Sequence, residues 1–354
     1  MKKIIISVTN DLITDQRVHK VATSLSNKGH YVLLVGRNGD SIYPRKYDLH
    51  RFKILFSSGF LFYLEFNVKL FWFLLFKKFD ILLSNDLDTL LSNLIVSKIR
   101  RKKIVYDSHE LFSEVPELNK RPFVKNVWLM IERICLPNII YSYTVSSSIA
   151  KYYFKKYGSN MSVIRNFPIY KIKKSNESDD KIKKIVYQGA VNKDRGIELM
   201  IESMVYVDAV LWIIGSGDII QDIINKVKRL SLENKVKLVG KLHYDALFDI
   251  TSTCDLGLSF EEDTCLAYRY SLPNKIFDYI NAEIPVLISD LPEFKKVIDK
   301  FNIGMCLSSR KPIDVAYQIN KILSMPKGYW CQDLKLAKKV FCWENEEKKL
   351  LDFF

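Results

Sequence analysis

Short apolar runs typical of buried strands recur along the whole chain, and helical stretches separate most of them. Residues 3–8 form a continuous β-branched run, residues 15–27 have helical periodicity, and residues 31–35 form a second apolar run. A strand, a helix and a strand at this spacing are typical of the beginning of a parallel, doubly wound sheet. Comparable runs follow at 81–84, 104–106, 143–145, 161–164, 184–187, 210–214, 236–239, 256–259, 286–289 and 304–307. The sequence therefore predicts an α/β fold.

A polar stretch at residues 171–184 interrupts this pattern, which then restarts. The stretch lacks apolar periodicity and is typical of a linker, so we predict two successive α/β domains. A length of 354 residues is sufficient for two cores, and a composition of 48% apolar and 27% charged residues is that of a globular protein. The six cysteines lack zinc-site spacing, which favours reduced core thiols of a cytoplasmic protein and no zinc site. The N-terminal apolar run is too short for a signal peptide.

The net charge of +14 is concentrated in the first half of the chain. Residues 1–170 carry 26 Lys and Arg against 13 Asp and Glu, whereas residues 171–354 carry 28 against 27. A basic half indicates an anionic surface or ligand, although an uneven scatter of lysines would give the same count. We expect this half to contact an anionic membrane through basic residues at 100–103, 151, 155 and 156.

Residues 60–79 are a markedly apolar segment of this half. Glu65, Asn67 and Lys69 interrupt it, so we do not expect it to span a membrane. If it is helical, Glu65, Lys69 and Lys77 share one stripe, and a wide apolar arc contains Phe66, Leu70, Phe71 and Leu74. Two interpretations are open. The arc lies in a lipid headgroup layer, with Tyr63 and Trp72 at the interface, or it packs in the domain core.

The stretch 270–290, YSLPNKIFDYINAEIPVLISD, carries the strongest indication of a ligand site. Ser271 is expected to cap a helix whose first turn contains Asn274 and Lys275, where N–H groups and the helix dipole favour a phosphate. Asp278 lies one turn deeper on the same face, where it could accept both hydroxyls of a ribose. The helix is expected to end near residue 282, before Pro285 and a buried strand. An ordinary capped helix would give the same pattern.

Each loop that follows a predicted strand is a further candidate site, because ligands bind at the carboxyl ends of parallel strands. Arg195 follows the run at 184–187 and lies near a helix start, where it could clamp a diphosphate. Gly215 and Gly217 follow the run at 210–214 and predict a tight turn. The first strand is not followed by a GxGxxG motif, so a dinucleotide cofactor is not expected.

Polar side chains also follow strands in the first half. Asp11, Asp15 and Arg17 follow the first strand, where they either meet hydroxyls or phosphates of a ligand or form a solvated surface. Asp86 and Asp88 form a DxD pair, for which helix N-capping is a better explanation than a metal site.

His109 lies just past the strand at 104–106. Asp107 and Glu110 flank it, and either could orient or charge the imidazole. A single histidine is usually structural, but this position at a strand end favours a site residue.

Together these motifs resemble the large retaining glycosyltransferase family four, or glycosyl transferases group 1, which has the two-domain GT-B fold. The resemblance spans nearly the whole chain. It rests on NDLITDQRV at 10–18, GHYV at 29–32, YDSHE at 106–110, YQGA at 187–190, RG at 195–196, GSG at 215–217, SLPNKIFDY at 271–279 and AEIPVLISD at 282–290. It implies two Rossmann-like domains facing a central cleft. They would be an acceptor-binding domain at 1–170 and a nucleotide-sugar-binding domain at 171–338, with a C-terminal helix at 339–354 crossing back to the first domain.

The resemblance also implies roles for individual residues. Arg195, Lys275 and Asn274 would hold the donor diphosphate, Asp278 the ribose, and His109 would act near the transferred sugar. Contacts on the acceptor side would come from Asp11, Asp15, Arg17 and Glu110.

Two positions depart from the family pattern. Tyr270 stands where the first glutamate of an E-x7-E pattern is expected, and Ala190 stands where an arginine often follows the glycine. The diphosphate is then held by fewer cations. The donor sugar is expected to contact Tyr270, Glu261 or Glu262, with Gly215 and Gly217 at the cleft.

The function implied is metal-independent, retaining transfer of a sugar from a nucleotide-diphosphate donor to an acceptor hydroxyl. Cell-surface polysaccharide or glycolipid assembly at the inner face of the cell membrane would use such an enzyme. Two alternatives are a GT-B relative of another class, such as a nucleotide-sugar epimerase, and a basic nucleic-acid-binding protein, suggested by a pI of 9.3. The basic half lacks the interleaved aromatics of a single-strand platform, so we expect no nucleic-acid partner.

Overall fold

The computed structural model describes residues 1–12, 15–37, 45–173, 182–326 and 328–354, apart from the side chains of Asp11, Tyr244 and Asp245. These residues form two compact units. Unit 1 comprises residues 1–166, 265–267 and 346–354, and unit 2 comprises residues 167–264 and 268–345. The predicted linker at 171–184 begins shortly after this change of unit, and its residues 174–181 lie outside the described residues.

Unit 1 is built on a seven-stranded sheet in which all neighbouring strands are parallel. Its strand order is β3-β2-β1-β4-β5-β6-β7. The strands are β1 (Lys3–Asp11), β2 (Tyr31–Arg37), β3 (Asp48–Phe52), β4 (Ile81–Asn85), β5 (Lys103–Ser108), β6 (Tyr141–Thr144) and β7 (Ser162–Val163). The helices between them are α1 (Gln16–Asn27), α2 (Gly59–Phe76), α3 (Leu87–Arg100), α4 (Pro116–Asn119), α5 (Pro122–Cys135) and α6 (Ser147–Tyr157).

Unit 2 is built on a six-stranded parallel sheet with the order β10-β9-β8-β11-β12-β13. The strands are β8 (Lys183–Gln188), β9 (Ala209–Ile214), β10 (Val236–Gly240), β11 (Leu256–Ser259), β12 (Val286–Ile288) and β13 (Gly304–Cys306). Its helices are α7 (Ile197–Ser203), α8 (Ile220–Arg229), α9 (Tyr244–Thr251), α11 (Asn274–Asn281), α12 (Pro292–Lys300), α13 (Pro312–Leu323) and α14 (Cys331–Val340). The residues of α10 (Leu266–Arg269) and α15 (Trp343–Leu351) are divided between the two units.

The strand at 48–52 is the element that the sequence pattern missed. Its residues, DLHRF, include only two apolar side chains, and it lies at the edge of the unit 1 sheet beside β2. The strands with continuous apolar runs are buried along most of their length, as in β2 and β4. Buried strands produce the apolar pattern on which the prediction relied, and the largely polar, partly exposed β3 does not.

In both sheets the strand order reverses at one place. In unit 1 this is between β1 and β4, and in unit 2 it is between β8 and β11. Loops that leave the carboxyl ends of the strands diverge there, which opens a crevice for ligands. The candidate residues of each unit lie in or next to these loops.

Candidate active site

In unit 2 the loops after β8 and β11 meet at a fully buried carboxylate, Glu261. Lys275 Nζ donates to Glu261 Oε1 at 2.7 Å, and Ser259 Oγ donates to Oε2 at 2.6 Å. Arg195 Nη1 lies 3.7 Å from the same Oε1. Burial raises the pKa of Glu261, but Lys275, the Ser259 hydroxyl and Arg195 outweigh it and the pKa is lowered. Glu261 is therefore an anion held between two cations, not a group exposed to a sugar.

Arg195 is positioned by an unusual backbone. Its neighbours Asp194 and Gly196 both have positive φ, 64° and 71°. Gly196 lies against the end of β11, since a Cβ there would be 2.3 Å from the carbonyl oxygen of Phe260. The guanidinium lies 4.7 Å from the ring centroid of Tyr268. Arg195 precedes α7 by two residues, close to the helix start where the sequence predicted it.

Lys275 is in the first turn of α11, as predicted, but Ser271 does not cap this helix. The N-cap residue is Pro273, and the Ser271 hydroxyl donates to the carbonyl of Tyr268 at 2.8 Å instead. The side chain of Lys275 is buried, with its ammonium 4.3 Å from the ring centroid of Tyr187. A Cβ at Gly189 would lie 3.4 Å from Lys275 Cε, so the ammonium stands over the end of β8. Asn274 is exposed at the helix start.

Asp278 is held by the last residue of β8. Gln188 Nε2 donates to Asp278 Oδ2 at 2.8 Å. Gln188 belongs to the YQGA motif, but no role was predicted for it. Because Gln188 directly precedes Gly189, the predicted ribose carboxylate and the predicted diphosphate cation come together at the end of one strand.

Gly215 and Gly217 bring the loops after β8 and β9 into close contact. A Cβ at Gly215 would lie 1.8 Å from the carbonyl oxygen of Gly189, and its φ of 151° lies where side chains are strained. A Cβ at Gly217 would lie 2.1 Å from Asn192 Oδ1. The two glycines are needed for packing behind the β8 loop.

Arg310 was not predicted as a site residue. It follows β13 and donates to the carbonyl oxygen of Phe260 at 3.0 Å and to Glu262 Oε1 at 3.3 Å. Glu262 is half exposed and pairs with this arginine. Tyr270 is partly buried. Only a fold that puts β13 beside β12 brings Arg310 near β11, so no local pattern in the sequence pointed to it.

In unit 1 His109 lies between two carboxylates. Its Nδ1 is 3.1 Å from Asp86 Oδ2, and its Nε2 is 3.2 Å from Asp107 Oδ2. The backbone N–H of His109 also donates to Asp86 Oδ1 at 2.8 Å. Burial lowers the pKa of His109, but Asp86 and Asp107 outweigh it and raise the pKa well above its usual value. The imidazole is therefore a cation whose two N–H groups both donate to carboxylates.

Arg17 fixes the second of these carboxylates. Its Nε and Nη2 donate to the two oxygens of Asp107 at 2.9 and 2.7 Å, and Nη1 donates to the carbonyl of Ile164 at 3.1 Å. Burial raises the pKa of Asp107, but Arg17 and His109 outweigh it and lower the pKa to about 2. Arg17 is only 3% exposed, so it serves to orient Asp107, in contrast to the predicted contact with an acceptor.

The DxD pair does not act as the sequence suggested. Asp86 is the N-cap residue of α3, but its side chain makes no capping bond and binds His109 instead, on a backbone with φ of 55°. Asp88 is buried and accepts a hydrogen bond from Thr9. Burial, and then the charge of Asp86, raise the pKa of Asp88 to about 7.

The remaining predicted residues of unit 1 divide into three cases. Asp15 caps α1, because its Oδ1 accepts from the backbone N–H groups of Arg17 and Val18 at 3.1 Å each. Glu110 is exposed. The side chain of Asp11 lies outside the described residues. Within the described part of the chain, no three His, Cys, Asp or Glu side chains gather into a group that could hold a metal ion.

Two family models match most of the chain between them. Glycosyl transferases group 1 matches residues 169–338, and Glycosyltransferase Family 4 matches residues 15–167. No curated protein matches the chain.

Several solved structures share the fold at low sequence identity. Sucrose-phosphate synthase from Thermosynechococcus elongatus has a TM-score of 0.79 and 15% identity, covering 99% of this chain and 98% of its own. HepE from Anabaena, in complex with UDP and glucose, has a TM-score of 0.78 and 15% identity, covering 99% of each chain. WaaG, a glycosyltransferase involved in lipopolysaccharide biosynthesis, has a TM-score of 0.77 and 12% identity, and the match covers 99% of this chain and 98% of WaaG.

These matches agree with the two parallel sheets and their interleaved helices. They confirm the predicted two-domain α/β architecture. The chain belongs to the group 1 glycosyltransferases of GT-B fold.

Proposed function

We propose that the chain transfers a sugar from a nucleoside-diphosphate sugar to an acceptor hydroxyl, and that the donor binds at the carboxyl end of the unit 2 sheet. One observation carries the proposal. Arg195 and Lys275 converge on the buried Glu261 at the strand-order reversal, beside Gly189 and the Gln188–Asp278 bond. Arg195, Lys275 and Glu261 together carry two positive charges and one negative charge, a combination that suits a diphosphate. HepE, which shares the fold, was solved with UDP-glucose.

In this proposal Lys275 and Arg195 stabilise the negative charge that develops on the leaving diphosphate. Preorganised cations in a partly buried site can do this because little reorganisation is needed during the reaction. The proposal includes retention of the anomeric configuration and no metal requirement, as the family resemblance implies. Asn274 and the sugar-side residues Tyr270 and Glu262 are further donor contacts in it.

We further propose that His109 contributes to turnover as a cation. Both of its N–H groups donate to carboxylates, so the described arrangement suits an electrostatic role and not that of a general base. His109→Gln should lower kcat more than it weakens donor binding. Equal turnover by the variant and the parent would give His109 a purely structural role.

Nucleotide binding is the first test. Of UDP, GDP, ADP and CDP, at least one should stabilise the protein, by about 2.7 kcal/mol at a concentration 100 times its Kd. Lys275→Met should weaken that binding roughly tenfold to a hundredfold, since a charge-assisted hydrogen bond contributes about 1.5–3 kcal/mol. Lys321→Met, on the exposed side of α13, is the matched control. If K275M binds as tightly as K321M, the donor site is assigned to the wrong residues.

Product analysis is the second test. The protein is incubated with nucleotide sugars and with sugar or lipid-linked acceptors, and the products are examined by NMR. Transfer with the donor's anomeric configuration supports the proposal. An isomerised donor with no transferred sugar would indicate an epimerase. A product of inverted configuration would contradict retention while leaving transfer intact.

Unit 1 has a surface that suits an anionic membrane. We define the outer α2 stripe as Phe60, Leu64, Val68, Trp72 and Phe76, which are 47–78% exposed and recur every four residues. This stripe is not the apolar arc that the sequence analysis considered for contact with lipid. Phe66, Leu70 and Leu74 of that arc are buried in unit 1, which agrees with the alternative interpretation of packing in the domain core.

Basic residues lie near this stripe. Lys77 and Lys78 follow α2 directly and are exposed. On α3, which packs beside α2, Lys98 is exposed together with Ile95 and Ile99, and Arg101 is exposed just after the helix. Arg100 donates to the carbonyl of Leu75 at 2.5 Å, which ties the two helix ends together. Apolar side chains beside lysines and arginines are the composition of a helix that lies in a lipid headgroup layer.

Among the described residues α2 alone is long and apolar enough to cross a membrane, on length and composition only. This differs from our expectation that its charges exclude a span. Length and composition are weak evidence for a span, however, because the core helix of a soluble protein passes the same test. Four side chains of α2 are buried in unit 1, so we propose peripheral contact with the cytoplasmic face of a membrane.

Vesicle sedimentation tests this contact. The protein should bind phosphatidylserine vesicles, bind phosphatidylcholine vesicles less, and dissociate as salt rises. Replacing Trp72 and Phe76 by Glu should abolish binding, whereas Ile313→Glu on the exposed face of α13 should not. Equal binding to both lipids, or to neither, would contradict the electrostatic part of the proposal.

A further inference from the structure

Gln188 is anchored more firmly than a surface amide. It is 3% exposed, and its backbone N–H donates to the hydroxyl of Tyr279 at 3.1 Å. That hydroxyl in turn donates to the carbonyl of Leu258 at 3.1 Å. The ring of Tyr279 lies over Gly257, where a Cβ would be 2.4 Å from it. The backbone of Gln188 is thus fixed between β11 and α11.

The side chain of Gln188 is held at both ends. Thr251 Oγ, at the end of α9, lies 2.9 Å from Gln188 Oε1, and Gln188 Nε2 donates to Asp278 Oδ2 at 2.8 Å. An ionised carboxylate only accepts hydrogen bonds, so the amide must present its NH2 group to Asp278 and its oxygen to Thr251. Thr251 is itself 1% exposed, and its hydroxyl shares its one hydrogen between Gln188 Oε1 and the carbonyl of Leu247, which is 2.7 Å away.

We propose that Gln188 and Thr251 are positioning residues, which set the carboxylate of Asp278 in the orientation that accepts the ribose hydroxyls of the donor. The inference rests on the proposed function. One oxygen of Asp278 is fixed by an amide that is fixed on its other side, so the plane of the carboxylate is fixed before ligand binds. Preorganisation of this kind reduces the ordering cost that binding would otherwise include.

A ribose-specific readout separates positioning from general structural support. The nucleoside diphosphate that stabilises the parent most is compared with its 2′,3′-dideoxy analogue by isothermal titration calorimetry. Gln188→Leu should weaken binding of the ribonucleotide about tenfold, the equivalent of about 1.4 kcal/mol. The reason is that Asp278, no longer held in place, loses one charge-assisted hydrogen bond to the ribose. Binding of the dideoxy analogue should change less than about twofold, because it makes no ribose contact to lose. Thr251→Val should show the same selectivity with a smaller loss.

Gln318→Leu is the matched control. Gln318 is another buried glutamine of unit 2, with its Oε1 accepting from Ser308 N at 3.0 Å and its Nε2 donating to the carbonyl of Cys306 at 2.9 Å. It should lose stability as Q188L does, and the ratio of ribonucleotide to dideoxynucleotide affinity should stay at the parent's value.

Gln188→Glu provides a second measurement in case Q188L does not fold. The replacement has nearly the same shape. When the introduced carboxyl group is protonated, its hydroxyl can donate to Asp278, and when both carboxylates are ionised they repel each other. Ribonucleotide affinity of Q188E should therefore approach the parent's at low pH and fall as pH rises, with no such change for the dideoxy analogue.

Two outcomes would overturn the inference and leave the proposed function standing. If Q188L or Q188E weakens both nucleotides equally, Gln188 supports the loop and not the ribose contact. If the parent binds the ribonucleotide and the dideoxy analogue equally well, Asp278 does not contact the ribose, although a donor still binds. A parent that binds no nucleoside diphosphate would overturn the proposed function, and the inference with it.

Discussion

The two charged clusters of this protein are built from similar residues but differ in charge balance. In unit 1, two cations face two carboxylates: Arg17 bonds to Asp107, Asp107 to His109, and His109 to Asp86. In unit 2, Arg195 and Lys275 both pair with the carboxylate of Glu261. The four named side chains of the first cluster balance in charge, and the three of the second carry one more positive charge than negative. A closed cluster holds a geometry, whereas an unbalanced one can bind an anion.

The largest effect should come from opening the closed cluster. Arg17→Met removes two N–H donors from the fully buried Asp107, and breaking a buried ion pair costs about 3–5 kcal/mol. Urea denaturation should show this loss in the free energy of unfolding. Arg37→Met, at the exposed end of β2, should change it by less than about 0.5 kcal/mol. If R17M loses no more unfolding free energy than R37M, the ion pairs of the unit 1 cluster do not stabilise the fold.

The next effect concerns pH. The pKa of Asp88 is raised to about 7, chiefly by burial and then by Asp86, so the group favours the folded state most below its usual pKa. That contribution is lost as pH rises through about 7. The raised pKa of His109 also makes the free energy of unfolding fall as pH rises, but at higher pH than for Asp88. The free energy of unfolding should fall by about 2 kcal/mol between roughly pH 5 and pH 8.

Asp88→Asn should flatten this dependence, because the amide does not titrate. The measurement is urea denaturation of parent and variant at both pH values. The depressed pKa of Asp107, about 2, changes stability only at more acid pH and does not interfere. An equal slope in D88N and the parent would assign the pH dependence to other groups.

The smallest effect should come from the unbalanced cluster. Glu261→Gln keeps a hydrogen-bond acceptor for Lys275 but removes its counter-charge, which should cost about 1–2 kcal/mol of unfolding free energy. A nucleoside diphosphate should then raise Tm more in the variant than in the parent, because its charge replaces the one removed. Glu262→Gln, the half-exposed neighbour, should leave the ligand-induced shift unchanged. A smaller shift in E261Q than in the parent would show that Glu261 positions Lys275 for the ligand.

The fold was predictable because most of the described strands contain short apolar runs, whereas β3 has only two apolar side chains. The places of Arg195 and Lys275 in the fold were also predictable, because Arg195 follows a strand and Lys275 opens a helix that has Asp278 one turn deeper. Their partners were not. Arg17 and Asp107 are 90 residues apart in sequence, and Gln188 and Asp278 are also 90 apart. Contacts of this kind depend on the order of strands in the sheet, which hydrophobic periodicity does not specify.

Helix α2 is apolar on two opposite sides, one packed in unit 1 and one formed by the outer α2 stripe. This arrangement has a practical consequence for handling the protein. In lipid-free buffer the exposed side can cover its apolar surface by meeting another copy of itself, and self-association should increase with concentration. Light scattering should detect this association, and a mild detergent should reverse it. A preparation kept with detergent or vesicles is then the appropriate material for measuring the enzyme's own rate.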